Sequence, residues 1–77
     1  MPQKNNLAFD IQYNGTGLVA TPTDSESVYN AMTRAIEQHT GNRVTEWGRC
    51  KMAGEHYRYP IMLSNGERGV VLVGAGA

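Results

Sequence analysis

An Asn-Gly pair at the end of a short run of alternating residues specifies how this chain starts to fold. Residues 7–13 alternate between apolar and smaller or polar side chains, which is the period of a half-buried β-strand. Asn14-Gly15 supplies the positive φ angles of a two-residue type I′ turn and places Phe9 opposite Ala20. We therefore predict a β-hairpin with one apolar face: Leu7, Phe9, Ile11, Leu18 and Ala20.

The segment after Pro22 has the pattern of an amphipathic helix. Thr23 and Glu26 have the spacing of a capping box, and Gly41-Asn42 supplies a stop. We predict a helix over residues 24–40, packed on a sheet because no second helix is predicted to cover it. Its apolar stripe consists of Val28, Met32, Ala35, Ile36 and His39.

Three further strands are predicted over residues 43–52, 56–63 and 69–73. The turns between them are Ala53-Gly54 and Asn65-Gly66. If both are two-residue turns, position 50 lies opposite 57 and position 61 opposite 70. The face toward the helix then carries Val44, Cys50, Met52, Tyr57, Tyr59, Ile61, Val70 and Leu72.

The predicted fold is a single α+β domain over residues 1–77, of order β-β-α-β-β-β, with one helix on a mostly antiparallel sheet. Residues 1–6 are polar, and we expect them to form a disordered tail. Seven basic and seven acidic residues give no net charge, which argues against attachment to nucleic acid or a membrane by bulk charge. One cysteine and no apolar run of signal-peptide length favour a cytoplasmic protein without a membrane partner.

The same register gathers four of the seven Lys and Arg residues and the only tryptophan on the face away from the helix. An indole can stack, and guanidinium groups can pair with phosphate or carboxylate, so this face is a candidate binding surface. The alternative is an ordinary solvated face, and a bulge at Gly48 would reverse the side that the tryptophan takes. The candidate residues are Arg43, Trp47, Arg49, Lys51, His56 and Arg58.

The last strand is apolar on both of its predicted faces. Met62, Val71 and Val73 would point away from the helix, where a second copy could cover them. A chain this short also buries a modest share of its surface alone. We therefore expect a homodimer or a higher homo-oligomer.

No constellation of residues points to catalysis, a metal or a cofactor. Cys50 is predicted to face the core, where burial raises the pKa of a thiol, and two histidines with one cysteine do not complete a zinc site. We expect a non-catalytic module, a small inhibitor or regulatory accessory protein that occupies a partner protein with Trp47 as its anchor. The first alternative is a binder of nucleotide or single-stranded nucleic acid, and the second is a small enzyme with a site around His56 and Tyr57 shared between subunits.

Overall fold

A computed structural model describes residues 8–74 and shows one helix packed on a six-stranded antiparallel sheet. The strands run β2-β1-β6-β5-β3 across the sheet, and β4 pairs with β5 beyond the end of β3. The predicted α+β class is confirmed, with the third predicted strand divided in two. Leu7 and the predicted tail lie outside the described residues. The elements are β1 (Phe9–Tyr13), β2 (Thr16–Ala20), α1 (Val28–Thr40), β3 (Val44–Trp47), β4 (Lys51–Ala53), β5 (His56–Leu63) and β6 (Arg68–Gly74).

The first hairpin forms in the predicted register. Asn14 and Gly15 both have positive φ, 49° and 86°, as a type I′ turn requires. Phe9 lies opposite Ala20, and Ala20 is buried. The turn chemistry and the alternation thus specify the same pairing.

The helix begins four residues later than predicted. Ser27 is the N-cap, and its hydroxyl accepts a hydrogen bond from the Asn30 N–H at 3.1 Å. The predicted capping residues form a separate turn before the helix, in which the Thr23 N–H donates to the Glu26 carboxylate at 3.0 Å. That carboxylate also pairs with Arg34 at 2.7 Å. Glu26 is therefore held outside the helix by its own partners.

The C-terminal end of the helix is as predicted. Gly41 adopts the left-handed conformation, and its N–H donates to the carbonyl of Glu37. The predicted apolar stripe is wrong at both ends, because Val28 and His39 are exposed. The late start leaves Val28 on the first helical turn, and His39 lies at the end beside the ring of Tyr13.

The core lies between the helix and one face of the sheet. Each large aliphatic side chain buried there contributes about 1.5–3 kcal/mol relative to exposure. Gly69 allows close packing in this layer, because a Cβ atom at that position would collide with the Tyr13 ring. The buried residues are Ile11, Tyr13, Ala20, Ala31, Met32, Ile36, Ile61, Leu63 and Val71.

The predicted register of β6 is wrong by one residue. The loop is three residues long, because the Leu63 N–H donates to the Glu67 carbonyl and the Gly66 N–H donates to the Leu63 carbonyl. Ile61 consequently lies opposite Gly69 rather than Val70. A shift of one residue exchanges the two faces of a strand.

This shift overturns two of the predicted oligomer-interface positions. Val71 is fully buried under the helix, and Val73 packs against the same core. Val70 and Leu72 instead lie on the opposite face, which we call the outer face. Met62 lies on the outer face, as predicted, and is half-buried there.

The break between β3 and β4 also changes the face of one residue. Trp47 lies opposite Ile61 and Lys51 lies opposite Arg58, so the three residues 48–50 on one side face the two residues 59–60 on the other. The extra residue reverses the alternation between the two ladders. The predicted position of Trp47 on the outer face is therefore wrong, because its pairing with buried Ile61 places it on the helix side.

The β4–β5 hairpin keeps the predicted faces although its register differs. Met52, rather than position 50, lies opposite Tyr57, which is a shift of two residues. The loop is Gly54-Glu55, and only Gly54 of the two has a positive φ, as in a type II′ turn. An even shift leaves every side chain on the same face.

Candidate protein-binding surface

Three aromatic rings meet where the N-terminal turn of α1 contacts the sheet. Tyr29 on the helix, Trp47 on β3 and Tyr59 on β5 contact one another edge to face. The ring centroids are 5.5–5.6 Å apart, within the favourable range for aromatic pairs. We call these three residues the aromatic cluster.

The indole of Trp47 is fixed in this cluster by a hydrogen bond. Its Nε1–H donates to the hydroxyl of Thr33 at 2.9 Å, one helical turn beyond Tyr29. The side chain is half-buried, so its polar edge is satisfied while part of the ring reaches the surface. Trp47 thus ties the β3 edge of the sheet to the helix.

The hydroxyl of Tyr59 is held in its neutral form. A hydrogen bond with Tyr29 is the main cause that raises the pKa of Tyr59 above its ordinary value of 10, and burial and Cys50 add to it. A tyrosine in this state donates and accepts hydrogen bonds but does not supply a phenolate.

Beyond the aromatic cluster the sheet is not covered by the helix. Met52 and Tyr57 lie opposite each other on the helix side of the β4–β5 hairpin, and they are 59% and 39% exposed. Val28 and Tyr29, at the same end of the molecule, are 52% and 47% exposed. These are four of the five exposed large apolar residues in the described chain. Apolar groups concentrated in this way are typical of interaction sites.

The length of the helix explains why this surface is open. The 13 residues of α1 span about 20 Å, whereas the 8 residues of β5 span about 26 Å. Because α1 begins at Val28, the end of the sheet that carries Tyr57 extends past it. We call Tyr29, Met52 and Tyr57, with the half-buried rings of Trp47 and Tyr59 that contact Tyr29, the aromatic patch.

The outer face of the same hairpin is basic. Lys51 lies directly opposite Arg58, and His56 lies opposite Ala53 on the same face. Like charges in opposing positions repel each other, and neither Lys51 nor Arg58 forms an ion pair within residues 8–74. We call Lys51, His56 and Arg58 the basic face. The predicted grouping of these three residues agrees with the structure.

The other predicted basic residues take different positions. Arg49 is exposed in the break between β3 and β4. Arg43 lies at the far end of the sheet, where its backbone exchanges hydrogen bonds with Ser64. Five residues of β5 separate that end from Arg58, which corresponds to roughly 17 Å. Arg43 therefore does not join the basic face.

A shallow depression of about 230 Å³ lies near Met62 on the outer face. Met62 has Glu46 opposite it on one side and Arg68 on the other, and Gly48, Pro60 and Ile61 complete the lining. No side chain of residues 8–74 that carries a polar or charged group is fully buried. The depression therefore offers surface contacts and no desolvated polar group.

His56 and Tyr57, the two residues predicted for an enzyme site shared between subunits, lie on opposite faces of the sheet within one chain. His56 lies on the basic face, whereas Tyr57 lies on the helix side with Met52. Within the part of the chain that the structure describes, no three His, Cys, Asp or Glu side chains are placed to hold a metal ion. No helix there has the length and apolar character needed to cross a membrane.

Sequence reasoning missed Tyr29 and Met52 as surface residues. Tyr29 does not belong to the predicted apolar stripe or to the candidate binding residues, and the predicted face toward the helix includes Met52 and Tyr57. Met52 and Tyr57 lie on the helix side of the sheet, as predicted. The prediction that the helix covers them is wrong, because both are exposed. The signal in the sequence is Ser27, an N-cap residue that shortens the helix and uncovers these positions.

Comparisons with known proteins give no relative for this fold and surface. No family model, no curated protein and no solved structure matches the chain. The function is therefore argued from the aromatic patch and the basic face.

Proposed function

We propose that this chain is a non-catalytic protein-binding module, a small inhibitor or regulatory protein that occupies a partner through the end of the β4–β5 hairpin. The observation that carries this proposal is the concentration of exposed Tyr and Met side chains at the end of the sheet where Tyr29 contacts the half-buried ring of Trp47. Aromatic residues, with Met, are enriched at protein interfaces, and Trp and Tyr dominate their binding energy. Trp47 keeps the predicted anchoring role, but on the helix side of the sheet.

The hairpin defines the chemistry of the partner. One face of it presents Met52 and Tyr57, and the opposite face presents Lys51 and Arg58 without acidic partners in the described chain. A cleft with an apolar wall and an acidic rim would contact both faces at once. The free thiol of Cys50 suits a reducing compartment, so we assign this function to the cytoplasm.

The test removes the apolar side of the hairpin and keeps its backbone. A protein retained by the wild-type chain from its own cells is purified, and its affinity is measured by calorimetry for wild type and for the double variant Met52→Ser, Tyr57→Ser. Both side chains are exposed, so the fold should be preserved. Loss of two interface anchors should weaken binding at least about 30-fold.

The matched control is Val19→Thr, which alters an apolar side chain as exposed as Met52, 59%, on β2 at the other edge of the sheet. This variant should bind the partner as the wild type does. An unchanged affinity in the Met52→Ser, Tyr57→Ser variant, with a native circular dichroism spectrum, would contradict the proposal. Equal weakening by Val19→Thr would also contradict it, because the effect would not follow the aromatic patch.

A second candidate function is binding of an anionic ligand by the basic face. The supporting observation is the adjacent pair Lys51 and Arg58, with His56 beside them. The position of Trp47 on the other side of the sheet weighs against base stacking next to these charges. This function predicts affinity for a labelled single-stranded oligonucleotide that falls steeply with salt and is lost in Lys51→Gln, Arg58→Gln. Salt-independent binding, or equal loss in Tyr57→Ser, would contradict it.

A further inference from the structure

The two edges of the sheet differ in how they are protected against pairing. The β3–β4 edge is broken into strands of four and three residues, has a register shift near Thr45, and carries Lys51. Natural sheets use short strands, bulges and charged side chains to prevent pairing at an edge. The β2 edge has none of these features, because Thr16–Ala20 is regular, uncharged and unbulged.

The backbone groups of β2 that face outward are those of Gly17 and Val19. A two-residue turn makes the flanking pair Tyr13 and Thr16 a hydrogen-bonded pair, and such pairs then alternate along the hairpin. Thr16 and Leu18 consequently bond to β1, whereas the N–H and C=O groups of Gly17 and Val19 point to the free edge. Among the strands that residues 8–74 form, β2 is the outermost on this side of the sheet.

This pattern is self-complementary. If two β2 strands lie antiparallel about a two-fold axis at Leu18, Gly17 of each copy lies opposite Val19 of the other. In each such pair, the N–H of one residue donates to the carbonyl of the other, and the reverse bond also forms. All outward N–H and C=O groups of Gly17 and Val19 are then hydrogen-bonded. Gly17 has no side chain, so it leaves space beside the neighbouring Val19.

Val19 is the fifth exposed large apolar residue of the described chain, and the only one outside the hairpin end. Its side chain lies on the outer face, opposite Asp10 of β1, and is 59% exposed. No charged residue lies in β2, so two copies meet without like-charge repulsion along the paired strands. An isologous contact of this kind closes at two copies.

We propose that two copies of this chain associate through β2, joining their sheets into one continuous antiparallel sheet. This proposal does not rest on the proposed function, because β2 and the aromatic patch lie at different places on the molecule. It also replaces the predicted interface, in which Val71 and Val73 were to face the second copy.

The test is hydrogen exchange of single amides, read by NMR at several protein concentrations. In the pair of copies, the Gly17 and Val19 amides should exchange at least about tenfold more slowly as concentration rises. The Leu18 amide, which bonds to β1, should be protected at all concentrations and serves as the internal reference. Sedimentation equilibrium on the same samples should give twice the chain mass.

Two variants and a control complete the test. Val19→Pro removes an outward N–H that the hairpin itself does not use, and Val19→Lys places a charge at the edge. Both should give the single-chain mass with a native circular dichroism spectrum, whereas Val19→Thr should stay paired. A single-chain mass for the wild type at millimolar concentration would overturn the proposal. So would pairing that persists in both Val19→Pro and Val19→Lys.

Discussion

The backbone N–H of Gly48 donates to the carbonyl oxygen of Pro60 at 2.7 Å, at the point where the edge of the sheet breaks into β3 and β4. Pro60 lies within β5 and has no N–H to continue the ladder on this side. The opposing chain therefore bulges at Gly48. The extra residue in the bulge turns Trp47 toward the helix, where it forms the aromatic cluster with Tyr29 and Tyr59.

We predict that Gly48→Ala destabilises the fold. A Cβ atom at residue 48 would lie 2.6 Å from Cγ and 3.0 Å from the carbonyl oxygen of Pro60, so the bulge must open. Forcing an extra methyl group into a packed site costs typically about 1–3 kcal/mol of unfolding free energy. Urea unfolding measures the change. Gly74→Ala is the control, because a Cβ there meets nothing within 4 Å, and an equal loss in both variants would refute the explanation.

The hydrogen bond between Trp47 and Thr33 gives a second prediction. Thr33→Val keeps the shape of the side chain and removes the acceptor of the indole N–H. The free energy of unfolding should fall by about 1 kcal/mol, and tryptophan fluorescence should shift as the ring moves. Thr33→Ser, which retains a hydroxyl, should lose less. A Thr33→Val variant as stable as wild type, with unchanged fluorescence, would show that this bond does not hold the ring.

The start of the helix gives a third prediction. Ser27→Ala removes the side chain that caps the Asn30 N–H and should cost about 1 kcal/mol of stability. Thr23→Ala should have a smaller effect, because Thr23 interacts with Glu26 through its backbone N–H and keeps that bond. Thermal unfolding of the two variants shows whether Ser27 or Thr23 caps the helix. A larger loss for Thr23→Ala would place the helix start at the residue expected from the capping box.

The ion pair of Glu26 and Arg34 should make the free energy of unfolding depend on pH in the acid range. The hydrogen bond from Arg34 is the main cause that lowers the pKa of Glu26 below its ordinary value of 4.5, and the Thr23 N–H adds to it. A lowered folded-state pKa contributes stability that is present above pH 4.5 and is lost as pH falls through the folded value.

The change should be small, because Arg34 is 42% exposed and water and salt therefore screen the pair. Glu26→Gln should flatten the stability profile between about pH 5 and pH 3, as followed by thermal unfolding. Raising the salt concentration should reduce the difference between wild type and variant. An identical acid profile for both proteins would contradict this assignment.

The sequence predicts the parts of the fold that depend on local signals. The turn at Asn14-Gly15, the stop at Gly41 and the bounds of β5 all follow from short-range patterns. The second Asn-Gly pair is misleading, because Asn65 and Gly66 belong to a three-residue loop in which only Gly66 takes a positive φ. Loop length, and not the dipeptide, sets the register of β6.

The candidate site is harder to predict, because it depends on the break between β3 and β4, on the register of β6 and on the residue at which the helix begins. A bulge at Gly48 is one of two arrangements that the residues of this strand allow. Pro60 favours the bulge, because a proline within the neighbouring strand has no N–H for the ladder. The basic residues Lys51, His56 and Arg58 were grouped correctly because a shift of two residues leaves faces unchanged.

The aromatic patch requires that Trp47 faces the helix. A NOESY spectrum of the labelled protein locates this ring through contacts of the Trp47 indole N–H. We expect cross-peaks to Thr33 and Tyr29, because the indole donates to Thr33 at 2.9 Å and its ring centroid lies 5.5 Å from that of Tyr29. Cross-peaks from the indole to Met62 or Arg58 instead would place Trp47 on the outer face and contradict the account.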